Sequence, residues 1–386
     1  MSTRPLGVVI LGARHPHVFP RIDLLRAHPD VELMGFYEQD VEIATRLAEL
    51  TGLTAYPAID ALLAGGADVA VVEGLDPQVP ELASTAVAAG VRGLLLEKPG
   101  AATPEAFFEL ARELAERQVV VEIGYELHYS VAVDWCREVL RDTVLGQLTL
   151  CRFHGGCPTG VGAELWQSIP EDLGGLLYTE GSHMIEIMLE LLGLPDRVTS
   201  SVRRLPARPP VIALVHKPDM FSAPLRDAQV AIGTLRHEDV AAAIFDYPDK
   251  LVSLDLTAWE PTTWCTQWWI ELYGTNGSLV GVPDPAEVRL TLREPAGRFG
   301  AGSTVLTAPV EPGRRGLVDT YERQLDSLLA RVRGIARPDS SGGDTGCGLW
   351  HAVQVMRVLR AMYTASADRG WAELRSVDIP EEAMRR

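Results

Sequence analysis

Residues 12–18 read GARHPHV and combine a glycine, a cation and two imidazoles directly after an apolar run. Gly12 stands where a phosphate-binding loop makes its tight turn between a strand and a helix. The fingerprint G-x-G-x-x-G needs two further glycines, but Arg14 and His17 occupy their positions. We therefore predict a dinucleotide-binding loop of altered chemistry, in which the guanidinium of Arg14 contacts phosphate oxygens.

The histidines of the loop allow a second interpretation. His15 and His17 are one residue apart, as in some metal sites. Such a pair needs further ligands, and the neighbouring sequence supplies none. We therefore expect no metal and place both histidines in the cofactor loop, with His17 packed between the helix and the strand.

Glu38 ends the second predicted strand. An acidic side chain there accepts hydrogen bonds from the adenosine ribose, although its distance from the loop slightly exceeds the expected ~20 residues. A carboxylate also repels a 2′-phosphate, which favours NAD over NADP. The alternative is a solvated residue at a strand end.

Lysine is rare in this chain: Lys98, Lys217 and Lys250 are the only lysines among 35 basic residues. Lys98 follows Glu97 at the end of an apolar run. An ammonium group polarises a substrate oxygen. If burial lowers its pKa, it also relays a proton, and arginine, which stays charged, cannot relay one. A surface lysine at a strand end is the alternative.

The apolar patterns predict the elements that position these residues. Five short apolar runs alternate with helical segments, which indicates a parallel, doubly wound sheet. The runs are residues 6–12, 31–37, 67–75, 91–97 and 119–125. Asp40 is expected to begin a helix that ends at Gly52, and Thr103 with Pro104 to begin another.

The second half of the chain has a different pattern. Apolar residues alternate with polar ones in LVSLDLTAW and EVRLTLR, which indicates a half-solvated antiparallel sheet. Asn276 and Gly277 predict a hairpin. Residues 318–335 and 344–369 are predicted helices. We therefore expect two domains, residues 1–124 and 125–386.

Composition excludes several classes of protein. The 386 residues have a net charge of −17, which argues against a nucleic-acid partner. We expect no membrane partner, because no apolar run approaches membrane-spanning length, and we find no secretion signal. The five cysteines form no C-x-x-C pair. A cytoplasmic protein is the expectation.

Four further stretches resemble one family. They are LLLEKPGAATPEA, WQSIPEDLGGLLYTEGSHMIEIMLELLG, IELYGTNGSLVG and, much later, SADRGWAEL. In this order they resemble the Gfo/Idh/MocA oxidoreductases, which include glucose–fructose oxidoreductase and inositol dehydrogenase, over almost the whole chain. The resemblance implies an α/β protein with an N-terminal Rossmann domain and a C-terminal α+β domain built on a large open, mostly antiparallel sheet.

The resemblance also implies an activity and an assembly. It implies NAD(P)-dependent hydride transfer between nicotinamide and a hydroxyl or carbonyl group of a sugar-like or cyclitol substrate. It further implies a homodimer or homotetramer that forms through the C-terminal sheet.

By this resemblance, Lys98 lies near the nicotinamide and the substrate hydroxyl, and His183 is the catalytic acid/base. Glu97 belongs to the same cofactor-binding segment as Lys98. Glu73, Asp76 and Pro77 line the nicotinamide-ribose side. The chemistry is consistent, because removing a hydride from a C–H group requires removal of the proton from the adjoining O–H, and histidine suits that step.

The sequence departs from the family at several positions. In the motif D-x-G-x-H, Thr179 replaces the aspartate and becomes a predicted hydrogen-bond donor in catalysis. Glu180 is expected to point elsewhere, and His128 stands where an arginine is frequent. Two alternatives therefore stay open: a redox-neutral epimerase or eliminase with tightly bound NAD, and a diverged, non-enzymatic partner subunit.

Overall fold

A parallel sheet forms the first half of the protein. The computed structural model describes residues 4–15, 17–158, 175–204, 238–260, 268–309, 318–335 and 346–384. Five strands pair in the order β2-β1-β3-β4-β5. They are β1 (Leu6–Leu11), β2 (Val31–Tyr37), β3 (Val69–Val72), β4 (Gly93–Leu96) and β5 (Val120–Ile123). The strands β1, β3 and β4 are buried throughout, which explains their unbroken apolar runs.

The helix boundaries predicted at Asp40, Gly52 and Thr103 are confirmed. The helices are α1 (Val18–Ala27), α2 (Val41–Thr51), α3 (Ile59–Leu63), α4 (Val79–Ala88) and α5 (Pro104–Glu116). The carboxylate of Asp40 accepts hydrogen bonds from the first amides of α2, and Gly52 ends that helix with a φ of 67°. Thr103 caps α5 through a hydrogen bond from the amide of Ala106.

The strand order opens a crevice at one edge of this sheet. The neighbours β2 and β3 lie on opposite sides of β1, so the chain leaves β1 at a switch point where ligands bind in such folds. Gly12, Glu38, Glu73 and Glu97 each directly follow a strand at this edge. The fold therefore gathers the predicted site residues.

A nine-stranded sheet forms most of the second half. Its order is β13-β12-β11-β10-β6-β9-β8-β7-β14, and every pair is antiparallel except β6 with β9. The strands are β6 (Leu148–Pro158), β7 (Arg197–Arg203), β8 (Val240–Tyr247), β9 (Lys250–Glu260), β10 (Trp269–Gly274), β11 (Gly277–Val282), β12 (Glu287–Leu292), β13 (Gly302–Thr307) and β14 (Trp371–Glu373). The predicted hairpin joins β10 to β11, where Gly274 pairs with Gly277.

The alternation predicted for β9 is also confirmed. Val252, Leu254 and Leu256 are buried, whereas Leu251, on the same face as Ser253 and Asp255, is 51 % exposed. One face of the sheet is therefore covered by protein and the other lies open.

Helices from the second half cover both sheets. A 3₁₀ turn (Glu126–Tyr129) precedes α6 (Val131–Arg141), α7 (Leu176–Thr179), α8 (Gly181–Leu192), α9 (Val318–Val332), α10 (Leu349–Asp368) and α11 (Glu381–Met384). The helix α8 packs on β6, and α10 packs on β7. The helix α9 instead packs on β4 and β5, and Leu325 and Leu328 join the core of the first sheet. Within the described residues, no helix combines the length and apolar character needed to cross a bilayer.

Candidate active site

Lys98 lies fully buried just after β4, with 1 % of its surface exposed. Its Nζ donates a hydrogen bond to the carbonyl oxygen of Thr179 (3.2 Å) and lies 3.6 Å from Oε1 of Glu180. Burial alone would lower the pKa of Lys98, but the charges of Glu180 and Glu97 outweigh it and the pKa is raised. Lys98 is therefore an ammonium at neutral pH, which favours the polarising role over proton relay.

The junction between α7 and α8 holds Lys98 in place. The hydroxyl of Thr179 donates to the carbonyl of Gly175 (3.0 Å), so the predicted catalytic donor is engaged within its own helix. Thr179 contacts Lys98 through its backbone carbonyl instead. The expectation that Glu180 points elsewhere is wrong. Glu180 is the single residue between the two helices, and its carboxylate faces Lys98.

His183 lies in the first turn of α8 and is 1 % exposed. Its ring contacts the edge of Tyr125, with centroids 5.5 Å apart, and lies 5.8 Å from the ring of Trp268. Burial lowers the pKa of His183 well below 6.5, and the positive charge of Lys98 adds to the effect. His183 is therefore a neutral imidazole at pH 7 and is able to accept a proton.

The histidines of the loop face the protein interior. Nδ1 of His17 lies 3.1 Å from Oε2 of Glu97, and the ring of His15 lies between Glu73 (3.8 Å) and Glu97 (3.7 Å). Arg21 of α1 completes the cluster through Nε, 2.5 Å from Oε1 of Glu73. Sequence alone offered no further metal ligand near these histidines. That expectation is wrong, because the fold places Glu97, directly after β4, next to both of them.

The turn at Gly12 is too close to the neighbouring backbone for any other residue. Gly12 has a φ of +81°, and a Cβ added to it would lie 2.5 Å from the amide nitrogen of Gly74. The amides of Arg14 and His15 donate to the carbonyl of Glu73 (3.0 and 3.1 Å). The loop is thus tied to the end of β3 through its backbone.

The outer side of the loop fits a dinucleotide. Arg14 is partly exposed next to the N-terminus of α1, where helix dipole and guanidinium both favour phosphate. Glu38 accepts hydrogen bonds from the amides of Ala13 (2.7 Å) and Asp40 (2.9 Å). Each carboxylate oxygen has a second lone pair, so Glu38 is able to accept from ribose hydroxyls as well.

Other site residues differ in exposure. Asp76 is buried, and its charge contributes to the raised pKa of Lys98, whereas Pro77 is exposed at the rim. Sequence reasoning missed Glu126, which is fully buried after β5. Burial and the charge of Glu97 raise its pKa to about 8. The only sequence signal was an acidic residue directly after an apolar strand.

Gly12→Ala is expected to destabilise the protein far more than Gly52→Ala. Both glycines have positive φ, which costs alanine about 1–2 kcal/mol. A Cβ at residue 52 meets no atom within 4 Å, whereas one at residue 12 meets the backbone of Gly74. Urea unfolding of the two variants measures the difference, and equal losses would contradict this packing.

Two family models match most of this chain. The model of an oxidoreductase family's NAD-binding Rossmann fold matches residues 6–125, and the model of its C-terminal alpha/beta domain matches residues 137–374. The chain belongs to the Gfo/Idh/MocA oxidoreductase family. The resemblance, the fold class, the NAD cofactor and the class of enzyme, an NAD-dependent dehydrogenase, are thereby confirmed.

Three proteins similar to this chain have low sequence identity to it. An uncharacterized oxidoreductase of Synechocystis sp. is 26 % identical over 280 residues, 71 % of each chain. Levoglucosan dehydrogenase in complex with NADH and levoglucosan has a TM-score of 0.76 at 15 % identity, covering 97 % of this chain and all of the other. An Agrobacterium radiobacter oxidoreductase in complex with NAD+, L-tartaric acid and magnesium has a TM-score of 0.73 at 14 % identity, covering 96 % and 98 %. These structures share the fold.

Proposed function

We propose that this oxidoreductase transfers a hydride between NAD and a hydroxyl or carbonyl group of a sugar-like or cyclitol substrate. The observation that carries the proposal is the pairing of a neutral imidazole, His183, with a buried ammonium, Lys98. Oxidation of an alcohol needs one group that takes the proton and one that stabilises the developing oxyanion, and these two residues have the matching charge states.

In the proposed reaction, His183 accepts the proton of the substrate hydroxyl. Lys98 contacts the substrate oxygen through its ammonium, which the carbonyl of Thr179 and the carboxylate of Glu180 hold in place. Bound NAD would supply the hydride acceptor, held through Arg14, Glu38 and the N-terminus of α1. In the reverse direction the imidazolium of His183 returns the proton to the oxygen. Neither residue changes its net charge over a complete cycle.

The fold and the site chemistry support the substrate class. Levoglucosan dehydrogenase has this fold, and its structure is a complex with NADH and levoglucosan, a sugar derivative. We would screen sugars, cyclitols and hydroxy acids for NADH formation, with His183→Ala as the control. Turnover of a sugar or cyclitol supports the proposal. Turnover of hydroxy acids alone would contradict it.

We expect the chain to bind NAD more tightly than NADP. The carboxylate of Glu38 repels a 2′-phosphate, and Glu38→Gln removes that charge while leaving an oxygen for the amide of Ala13. The ratio of NADP to NAD dissociation constants should therefore fall by about tenfold, which is about 1.4 kcal/mol. Titration of both nucleotides measures the ratio. An unchanged ratio would show that Glu38 does not face the ribose.

We further propose that two or four copies associate through the open face of the nine-stranded sheet. Exposed apolar side chains are spread across this face, with Ile244 42 %, Leu251 51 % and Val305 57 % exposed. The ring of Trp269 stacks on His154 at 3.9 Å. A second copy of the same face would bury these groups. A monomeric mass in light scattering would contradict this assembly.

A further inference from the structure

The cluster beneath the altered loop has the composition of a metal site. One nitrogen from each of His15 and His17 and one oxygen of Glu97 lie within 4.8 Å of one another. Oε2 of Glu97 is 3.1 Å from Nδ1 of His17, and Oε1 is 3.7 Å from Nε2 of His15. Imidazole nitrogen and carboxylate oxygen are ligands that Zn²⁺ prefers.

The spacing of these atoms suits a shared ion. Two donors bound to one tetrahedral zinc at about 2.0–2.1 Å lie about 3.3 Å apart. The two distances from Glu97 are close to that value. Both of its oxygens face a histidine, so Glu97 is able to supply one or two ligand atoms without leaving its place after β4.

The guanidinium of Arg21 adjoins the cluster. Arg21 is 2.5 Å from Glu73 and 3.7 Å from Glu97. Lys98, the next residue after Glu97, forms its ion pair with Glu180 instead. Arg21 thus lies closest to Glu73, and both oxygens of Glu97 face a histidine.

We propose that His15, His17 and Glu97 bind one Zn²⁺, which joins the loop to the carboxyl end of β4. His17 stands where the dinucleotide fingerprint has a glycine that lets the helix pack close to the strand. Coordination replaces that close packing as the link between α1 and the sheet. All three residues are at most 6 % exposed, so the site is closed to solvent.

Elemental analysis and titration of the full chain test this proposal. The chain would be stripped with a chelator, dialysed into metal-free buffer and titrated with Zn²⁺ by calorimetry. We expect one equivalent to bind and the thermal midpoint to rise with added Zn²⁺. His17→Ala should lose stoichiometric binding, whereas His28→Ala, a histidine paired with Asp326, should bind as the parent chain does.

Two results would overturn the site. One is a stripped parent chain that takes up no equivalent of Zn²⁺, in which case the cluster is a hydrogen-bonded ionic network only. The other is equal binding by His17→Ala and the parent chain. If His17→Ala does not fold, Co²⁺ bound to the parent chain decides the question. Strong visible absorption from a tetrahedral ion supports the site, and its absence contradicts it.

Discussion

Replacing His183 with alanine is expected to lower kcat by about 100- to 10,000-fold, the usual contribution of a general acid/base. The variant loses the neutral imidazole that takes the hydroxyl proton, but it keeps Lys98 and the cofactor loop. NAD affinity should therefore stay unchanged. Steady-state kinetics on the best substrate of the panel, with a nucleotide titration alongside, measure both quantities.

A pH profile separates this role of His183 from a structural one. The pKa of His183 is lowered, so the proton-accepting form persists below pH 6.5 and is lost only as pH falls through the lowered pKa. The rate of oxidation should decline on the acid side below pH 6.5. His351→Ala, which removes a hydrogen bond to Glu190, should keep the parent profile. A His183→Ala chain with near-parent activity would refute the assignment.

Lys98→Met is expected to abolish activity and to destabilise the fold by about 3–5 kcal/mol. The cost arises because the substitution removes the ammonium that faces the buried carboxylate of Glu180. The catalytic loss arises because no charge then stabilises the oxyanion. Urea unfolding and turnover assays measure the two effects separately.

A double variant distinguishes the two effects of Lys98. Lys98→Met combined with Glu180→Gln removes the carboxylate charge together with the ammonium, so stability should largely return while activity stays absent. If the double variant were no more stable than Lys98→Met, Glu180 would not be the partner of Lys98. If Lys98→Met kept its activity, the ammonium would not be part of the reaction.

Much of the fold was predictable because local signals agree with the long-range structure. The period-2 pattern of β9 matches its one-sided burial, and Asp40 and Gly52 mark the ends of α2 as the sequence indicates. The packing of α9 onto the first sheet was not predictable. It depends on contacts between segments that lie far apart in the chain, and no local pattern encodes them.

The sequence indicates the residue types of the proposed site but not all of their contacts. The rarity of lysine and the family resemblance indicated Lys98, and the G-x-H motif of the same resemblance indicated His183. The approach of Glu180 to Lys98 depends on a one-residue break between two helices, which periodicity does not reveal. The burial of Arg21 beside Glu73 depends on how α1 crosses the sheet.

The loop GARHPHV is expected to bind NAD despite its missing glycines. Calorimetric titration of the nucleotide-stripped chain with NAD tests it most directly. We expect saturable binding of one NAD for each chain, or one equivalent of NAD(H) released on denaturation of freshly purified protein. A chain that binds neither NAD nor NADP and releases none would contradict it.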